Sequence, residues 1–309
     1  MKPRSLVSIV NWNGTAATNA CLAGIAKLPT ESQPDVVVAD NNSKTDRFKI
    51  EPGLRESLNS IEIVHNDRNL GFAGGHNPNI RRAKQEGYDY IFLLNPDTEI
   101  IDPKMFQELA SALEANPGSL GANPIILRNL DPNIIWYGGG ELSLKTSHAS
   151  HLQVGQSETT PAGTQKVSFV TGCCLAISLK RAELSQLLLS EDYFVYWEDT
   201  DWSARATKAG FDLLYIPKAK LLHHVSDTLG VRSPIYIYYN IRNHFLFIRK
   251  NIRIIYWPLG WLQIAYITLK YKLNILVRYD RARLKALKGL WWGWMDGISN
   301  HRGQLRRKL

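Results

Sequence analysis

The sequence predicts an α/β protein in which a mostly parallel sheet is flanked by helices. Short apolar runs alternate with segments of helical pattern through the first hundred residues, an order typical of parallel sheets covered on both faces. The run 90–94 (Tyr-Ile-Phe-Leu-Leu) contains no polar residue, as expected of a central strand. Polar residues follow the runs directly, and open α/β sheets bind their ligands at this carboxyl edge.

Each predicted element is a periodic or apolar segment bounded by turn residues. Strands are predicted at 5–10, 35–40, 61–65, 89–94, 212–216 and 220–224. Helices are predicted at about 15–27, 45–58, 76–86, 180–190 and 199–209, with a further start near Asp102. Residues 121–178 interrupt this alternation with turn-rich segments, which predict hairpins, and the Ser/Thr-rich stretch 146–165 predicts a mobile loop.

Composition and charge divide the chain in two. The 309 residues have a net charge of +9, but the part from Arg249 onward has fourteen Lys or Arg and two acids, so the part before it carries −3. We therefore predict a domain at 1–232 and a basic, aromatic-rich helical extension at 233–309. Three cysteines provide no disulfide framework, and the first apolar run is too short for a signal peptide, which predicts a cytoplasmic protein.

Two strand ends carry short polar side chains. Asn11 and Asn13 follow the first strand, and Asp40 and Asn42 follow the second. Such side chains can hydrogen-bond a base and a ribose. They are also common in turns and helix caps, so both interpretations remain open at this point.

A glycine-rich segment, 69–77 (Asn-Leu-Gly-Phe-Ala-Gly-Gly-His-Asn), precedes the third helical pattern. Its glycines allow a close approach of the backbone to a phosphate at a helix start. It is neither a Walker loop nor a GxGxxG fingerprint, which argues against a kinase, a P-loop NTPase and a dehydrogenase.

Asp97 follows the buried run 90–94 after Asn95 and Pro96, and proline ends sheet pairing. A carboxylate at this edge is a suitable ligand for Mg²⁺ or Mn²⁺ carrying a diphosphate. The alternative is that Asp97 caps the next helix. A second candidate ligand is one of two adjacent histidines, His223 and His224, at the end of the last strand.

Three acids, Glu198, Asp199 and Asp201, lie within four residues after the aromatic run 194–197. Acids are favoured at a helix start, so capping explains one or two of them. Capping does not explain the aromatic residues, which resemble a platform for a sugar. A carboxylate held ionised at a helix start is also a suitable general base.

In this order the motifs resemble those of family 2 glycosyltransferases with a GT-A fold, close to the bacterial rhamnosyltransferase-like branch. The resemblance covers residues 5–250 and rests on seven motifs in register. They are Val-Ser-Ile-Val-Asn-Trp-Asn, Val-Val-Val-Ala-Asp-Asn-Asn-Ser, the glycine-rich segment, Leu-Leu-Asn-Pro-Asp-Thr, Val-Thr-Gly-Cys-Cys, Tyr-Trp-Glu-Asp-Thr-Asp-Trp and His-His. The resemblance implies that the sheet binds a nucleotide.

The resemblance also implies a role for individual residues. The donor side would consist of Asn11, Asn13, Asp40 and Asn42 at the nucleoside, Gly74 and Asn77 near the diphosphate and sugar, and Asp97 at the metal. The acceptor side would consist of Asp199 as the base, Glu198 orienting the hydroxyls, and Gly172 and Trp197 bordering the acceptor sugar. His223, in preference to His224, would join Asp97 as a ligand of Mg²⁺ or Mn²⁺. Asn95 replaces the first acid of the family's DxD motif, and Pro78 stands where a small residue is expected.

The implied activity is inverting, metal-dependent glycosyl transfer. A nucleotide-diphosphate sugar, with L-rhamnose as the first candidate, would glycosylate a hydroxyl of a lipid-linked saccharide in cell-surface polysaccharide synthesis. A sugar-nucleotide pyrophosphorylase is an alternative, although no basic loop follows the first strand. A non-catalytic membrane- or nucleic-acid-binding protein would explain the basic tail but not the acids at 198–201.

The extension contains an uncharged, aromatic-rich run, 254–269, which is sixteen residues long and interrupted by Pro258 and Gly260. It is shorter than the ~20 residues of a membrane-spanning helix. Its Trp and Tyr content and the basic segment after it suit an anionic membrane surface. We expect peripheral attachment to the inner face of the cytoplasmic membrane and no nucleic-acid partner. The alternative is a helical pair packed on the first domain.

Overall fold

The structure is a computed structural model that describes residues 3–158, 163–224, 233–277, 283–307 and 309. Its strands are β1 (Ser5–Asn11), β2 (Asp35–Asp40), β3 (Ile61–His65), β4 (Tyr90–Leu94), β5 (Thr98–Ile100), β6 (Ser119–Arg128), β7 (Asp131–Tyr137), β8 (Gly140–Ser143), β9 (His148–His151), β10 (Gln165–Val167), β11 (Cys174–Ser178) and β12 (Asp212–His223). Its helices are α1 (Thr15–Ala26), α2 (Gly71–Gln85), α3 (Met105–Ala115), α4 (Leu184–Leu187), α5 (Glu198–Lys208), α6 (Pro234–Asn251), α7 (Trp257–Leu276) and α8 (Arg283–Ile298).

The central sheet has the order β10-β12-β6-β11-β4-β1-β2-β3. The four strands β3, β2, β1 and β4 are parallel, as predicted. Beyond β4 the sheet is mixed, because β11 runs antiparallel to both β4 and β6 while β12 runs parallel to β6. The α/β class is therefore confirmed, and its parallel part is the half that carries the first two polar strand ends.

Helices cover both faces of β4, which is buried along its whole length. Phe92 packs in a cluster with residues of α1 and α3, whereas Ile91 and Leu93 pack in a second cluster with Ile80 of α2. Successive side chains of a strand point to opposite faces, so an unbroken apolar run is what a strand between two helical layers requires. Its end is consequently fixed in position, and Asp97 follows three residues later.

Several predicted elements differ from those observed. No helix forms at 45–58, where Pro52 and Gly53 lie in a series of turns, and the helix predicted at 180–190 is reduced to α4. The two strands predicted at 212–224 form the single strand β12, with an irregularity between Ile216 and Lys220. The prediction of hairpins is confirmed by the β6–β7 and β8–β9 pairs. The predicted mobile loop contains β9, and its residues 159–162 lie outside the described residues.

The C-terminal helices pack on one another and on the sheet domain. Glycines 289, 293 and 297 of α8 lie one turn apart, and a Cβ atom at Gly297 would come within 2.4 Å of the Phe245 ring on α6. The apolar side of α6 shares a cluster with Phe169 and Tyr193 of the preceding domain. The boundary at 232/233 remains a prediction. In the described parts of the chain, no helix combines the length and the apolar character needed to cross a membrane.

Candidate active site

The predicted metal ligands Asp97 and His223 lie side by side. β5 pairs antiparallel with β12, with Thr98 opposite His223, and this places Asp97 Oδ1 3.3 Å from His223 Nε2. The Trp136 ring packs edge-on against the His223 ring, 4.5 Å between centroids, and His223 Nδ1 is buried without a hydrogen-bond partner among the described residues. His224 instead points outward, with Nε2 3.2 Å from Glu99 Oε2.

These two side chains fit a cation that is shared with a substrate. Within the described ranges, no group of three His, Cys, Asp or Glu residues is arranged to hold a metal ion. Mg²⁺ is commonly bound by one or two protein carboxylates together with substrate phosphates and water, and Mn²⁺ also accepts imidazole nitrogen. A single carboxylate beside an imidazole at a sheet edge meets that requirement.

Asp199 lies in the first turn of α5 and accepts hydrogen bonds at both carboxylate oxygens. Oδ2 accepts from the Gly172 amide at 3.0 Å, and Oδ1 accepts from the amide and the hydroxyl of Thr200 at 2.6 and 3.2 Å. Burial raises the pKa of Asp199 above its usual value, although these hydrogen bonds oppose the rise. Asp199 and Gly172, two residues predicted for one acceptor site, are thus in direct contact.

A short segment links the predicted base to the predicted metal ligands. The Gly172 amide binds Asp199, and the next residue, Cys173, accepts a hydrogen bond at its carbonyl from the Asn95 amide at 2.9 Å. Burial is the main cause that raises the pKa of the Cys173 thiol well above its usual value, and the nearby negative charge of Asp97 raises it further. Asp199 is therefore bound directly to the Gly172–Cys173 segment, and Asp97 follows two residues after Asn95, which binds the same segment.

Glu198 is also buried, with 5% of its surface exposed, and its Oε2 has no hydrogen-bond partner in the described part of the chain. Burial, and then repulsion from Asp199, raises the pKa of Glu198 well above its usual range. The predicted role of Glu198 in orienting an acceptor hydroxyl remains a prediction.

The aromatic run before α5 has an unusual backbone, which the sequence did not reveal. Phe194 has φ 67° and ψ −58°, and the Val195 amide donates to the Tyr193 carbonyl at 2.9 Å, which defines a γ-turn with a positive central φ. Tyr196 and Trp197 also have positive φ, at 66° and 76°. Such residues cost on the order of 1–3 kcal/mol each and cluster at functional sites. Aromatic residues give no sequence signal for positive φ.

The side chain of Trp197 packs on α6. Its ring stacks on His244, with 4.4 Å between centroids, and Nε1 donates to Asn240 Oδ1 at 3.4 Å. The side chain of Trp197 is therefore held on one side by α6. Its contact with an acceptor sugar stays a prediction.

On the donor side, Asn11 and Asp40 form one buried network. Asn11 Nδ2 donates to Asp40 Oδ1 at 2.7 Å, and the Ser43 hydroxyl donates to the same oxygen at 2.6 Å. Burial would raise the pKa of Asp40, but hydrogen bonds from Ser43, Asn11 and His65 outweigh it and lower this pKa. The strand end thus holds an ionised carboxylate at neutral pH.

A cavity of about 360 Å³ opens beside this carboxylate. Asp40 and Asn42 line it, together with Lys44, Arg47 and His65, three residues that the sequence did not single out. Arg47 lies in the segment 45–58 that was predicted as a helix, Lys44 immediately precedes that segment, and His65 ends β3, so no motif marked them. The cavity is lined by Asp40, Asn42, Ser43, Lys44, Arg47, His65, Asn66 and Asp67.

The remaining donor-side residues have structural contacts. Asn13 Oδ1 accepts from the Lys44 amide at 2.8 Å and fixes the turn after β2. Asn77 Nδ2 donates to the Leu189 carbonyl at 3.0 Å and its Oδ1 accepts from the Leu189 amide at the same distance. A Cβ atom at Gly74 would lie 2.8 Å from Leu70 Cβ, so α2 needs a glycine there for close packing. Donor contacts of these three residues stay predictions.

Comparisons with known proteins agree with this geometry. The chain is 25% identical over 276 residues to "dTDP-rhamnosyl transferase RfbF" of Shigella flexneri. The aligned region covers 84% of this chain and 88% of that protein. It is 23% identical over 284 residues to "N-acetylglucosaminyl-diphospho-decaprenol L-rhamnosyltransferase" of Mycobacterium tuberculosis, covering 84% and 90%.

Two solved structures share the fold. The structure of GalNAc-T7 with UDP, GalNAc and Mn²⁺ superposes with a TM-score of 0.58 and 15% identity, over 80% of this chain and 50% of that one. The mannosyltransferase PcManGT from Pyrobaculum calidifontis, in complex with GDP-Man and Mn²⁺, superposes with a TM-score of 0.54 and 13% identity, over 97% and 88%. Finally, the sequence profile described as "Glycosyl transferase family 2" matches residues 7–181, from β1 through β11, and the chain belongs to this family.

Proposed function

We propose that the protein is an inverting, metal-dependent glycosyltransferase that transfers a sugar, with L-rhamnose as the first candidate, from a nucleotide diphosphate to a hydroxyl of a lipid-linked saccharide. The observation that carries this proposal is that one segment, Gly172–Cys173, hydrogen-bonds both Asp199 and Asn95, and Asn95 lies two residues before Asp97 of the Asp97–His223 pair. The names of the two rhamnosyltransferase relatives support the choice of donor sugar and of a lipid-linked acceptor.

The side chains divide the reaction between them. Asp97 and His223 would hold Mg²⁺ or Mn²⁺, and a bound cation of this kind stabilises the negative charge that develops on a diphosphate leaving group. Asp199 would take the proton from the attacking hydroxyl, which requires its ionised form. A raised pKa makes Asp199 a stronger base than an ordinary aspartate. One in-line displacement inverts the anomeric centre and needs no covalent enzyme intermediate.

The first experiment tests turnover. The purified protein would be incubated with dTDP-L-rhamnose, Mn²⁺ and decaprenyl-diphospho-N-acetylglucosamine, and the expected products are dTDP and a glycolipid with inverted anomeric configuration. Uridine- and guanosine-linked sugars complete the donor panel. Release of pyrophosphate would instead indicate a sugar-nucleotide pyrophosphorylase, and no turnover with any donor would favour a binding protein.

The C-terminal helices expose a large apolar surface that supports attachment to a membrane. On α7, exposed apolar residues recur every three or four positions and so form one stripe along the helix. The stripe consists of Leu259, Leu262, Tyr266, Leu269, Leu273 and Leu276. Leu284, Trp291, Met295 and Ile298 are exposed on α8, which Trp294 joins to α7 through a 2.9 Å hydrogen bond to Thr268.

Cations flank this surface, hereafter the apolar face of α7 and α8. Lys270 and Lys272 are exposed next to stripe residues, as are Lys285 and Lys288 on α8. Contiguous exposed apolar patches mark interaction sites, whereas ordinary surfaces expose apolar residues singly. Cations at the edge of such a patch are suited to anionic lipid. We infer that the apolar face lies on the inner leaflet of the cytoplasmic membrane, near a lipid-linked acceptor.

Flotation with phosphatidylglycerol vesicles tests this part of the proposal. Leu262 and Leu269 are 65% and 54% exposed, so replacing both with Gln should leave the fold intact while weakening binding about tenfold or more, given 1.5–3 kcal/mol for a fully buried Leu. Leu130→Gln, at a position 98% exposed in the β6–β7 turn, is the matched control. Failure of the wild-type chain to float at low salt would favour packing on another protein.

A further inference from the structure

The strained turn before α5 is fixed by one side chain of α6. Asn243 is fully buried, and the two N–H groups of its Nδ2 are shared among the carbonyl oxygens of Tyr193, Val195 and Tyr196, at 3.1, 2.8 and 2.7 Å. An oxygen facing three carbonyls would be repelled, so these partners determine the orientation of the amide. Asn243 therefore binds the residue before Phe194, the central residue of the γ-turn, and the two residues after it.

The preceding residue of α6 supports the same turn. Arg242 is fully buried and donates from Nη2 to the Tyr193 carbonyl at 2.8 Å and from Nη1 to the His301 carbonyl at 3.2 Å. A buried guanidinium is costly unless it is hydrogen-bonded. Together with the Val195 amide, three donors thus converge on the Tyr193 carbonyl.

This turn also determines where α5 begins. The Trp197 carbonyl accepts the first helical hydrogen bond, from the Asp201 amide at 2.8 Å, and the Phe194 carbonyl accepts from the Phe72 amide at 2.7 Å. Asp199 lies in the chain between Trp197 and Asp201, the two residues joined by this first helical hydrogen bond. Residues in sparsely populated backbone conformations persist only where surrounding contacts determine them, and a displacement of about 1 Å at a reacting group can cost 100-fold in rate.

We propose that Asn243 is a positioning residue for glycosyl transfer, whose amide fixes the turn 193–197 and thereby places Asp199 against the acceptor. This inference rests on the proposed function. It assigns a catalytic consequence to a residue that lies 44 positions beyond Asp199 and whose hydrogen bonds in the described part of the chain go to the turn.

Two variants separate hydrogen bonding from packing. Asn243→Asp keeps the volume of the side chain and loses the donors, whereas Asn243→Ala loses both. The matched control is Tyr238→Phe, which removes another buried hydrogen bond of α6, from the Tyr238 hydroxyl to Asp296 at 2.8 Å, away from the turn. All proteins would be assayed with dTDP-L-rhamnose and decaprenyl-diphospho-N-acetylglucosamine, well below their melting temperatures.

Both Asn243 variants should show kcat at least 10-fold lower with the donor KM within twofold, and faster hydrogen exchange of the 194–201 amides. Tyr238→Phe should lower the melting temperature while kcat stays within twofold. A folded Asn243 variant with kcat near that of the wild type, or an equal loss in Tyr238→Phe, would overturn the proposal. So would failure of both Asn243 variants to fold, because it would assign the amide to folding alone. An inactive wild type would refute the proposed function instead, and hydrogen exchange would still test the turn.

Discussion

Replacing Asp199 with Asn tests the assignment of the catalytic base. The Asp199 carboxylate accepts three hydrogen bonds and donates none. In Asp199→Asn the new NH₂ group must face the amide of either Gly172 or Thr200, which loses about one hydrogen bond, ~1 kcal/mol. Relief of a buried charge opposes this loss. We therefore expect the free energy of unfolding to change by about 1 kcal/mol or less.

The effect on kcat should be much larger. A positioned base contributes 10²–10⁴-fold, so kcat should fall at least about 100-fold, which corresponds to ~2.7 kcal/mol of transition-state stabilisation. Only ionised Asp199 can accept a proton, so wild-type kcat should decline as the pH falls through a pKa that burial raises. This acid limb should disappear in Asp199→Asn. Release of dTDP measures kcat, and thermal-shift midpoints with and without dTDP measure folding and donor binding.

Asp201→Asn is the matched control on the same helix. Asp201 is fully buried, and its carboxylate accepts hydrogen bonds from the Tyr193 hydroxyl, Asn251 Nδ2 and Arg205 Nε at 3.0, 2.7 and 2.7 Å. Because Arg205 is 31% exposed, water compensates part of its lost partner, and the expected destabilisation is about 2 kcal/mol. The kcat of folded Asp201→Asn should fall less than 10-fold. A kcat within threefold of wild type in Asp199→Asn would refute the assignment of the base.

Three further predictions follow from other contacts. Asp97→Ala should abolish Mn²⁺-dependent turnover and weaken dTDP binding in a thermal-shift titration, whereas wild-type activity that survives EDTA would contradict a metal site. Gly71→Ala should unfold at clearly lower urea, because φ is +73° and its Cβ would lie 2.1 Å from the Phe194 carbonyl oxygen; an unchanged midpoint would contradict this packing. Burial lowers the pKa of His76 and of His244 to about 3. The neutral form of each histidine therefore contributes fully to the stability of the fold above pH ~6.5, and this contribution is lost as the pH falls toward 3. At pH 5 each histidine should lower the free energy of unfolding by on the order of 2 kcal/mol, measured by urea unfolding. A free energy of unfolding that is independent of pH between 7 and 5 would contradict their burial in the neutral form.

Local signals predicted the parallel half of the sheet well. The strands β1 to β4 are apolar runs with turn residues on both sides, and each lies within a residue of its predicted bounds at both ends. The helix predicted at 45–58 was wrong because Pro52 and Gly53 disfavour helix and the segment packs through turns. β11 could not be oriented from sequence, since an apolar strand has no local mark of its direction relative to β4.

Polar strand ends show a second limit of sequence reasoning. Asn11 and Asp40 carry the residue types that suit both a turn and a nucleotide, and the structure distinguishes them by exposure to the cavity. Asp40 lines it, while Asn11 supports Asp40 from the buried side through a 2.7 Å hydrogen bond. The basic residues that share the cavity, Lys44 and Arg47, belong to no motif, because the fold of the segment after β2 brings them to the cavity.

The acids at the start of α5 illustrate how much depends on distant residues. The sequence predicted the helix start and Asp199, because both are local features. It did not predict that aromatic residues take positive φ, because these conformations are unfavourable on their own and are held by contacts from α6 and α2. Asn243 lies 47 to 50 positions from the carbonyls that it binds. The family profile ends at residue 181, before both segments, so the proposals for Asp199 and Asn243 rest on the contacts of these two side chains in the structure.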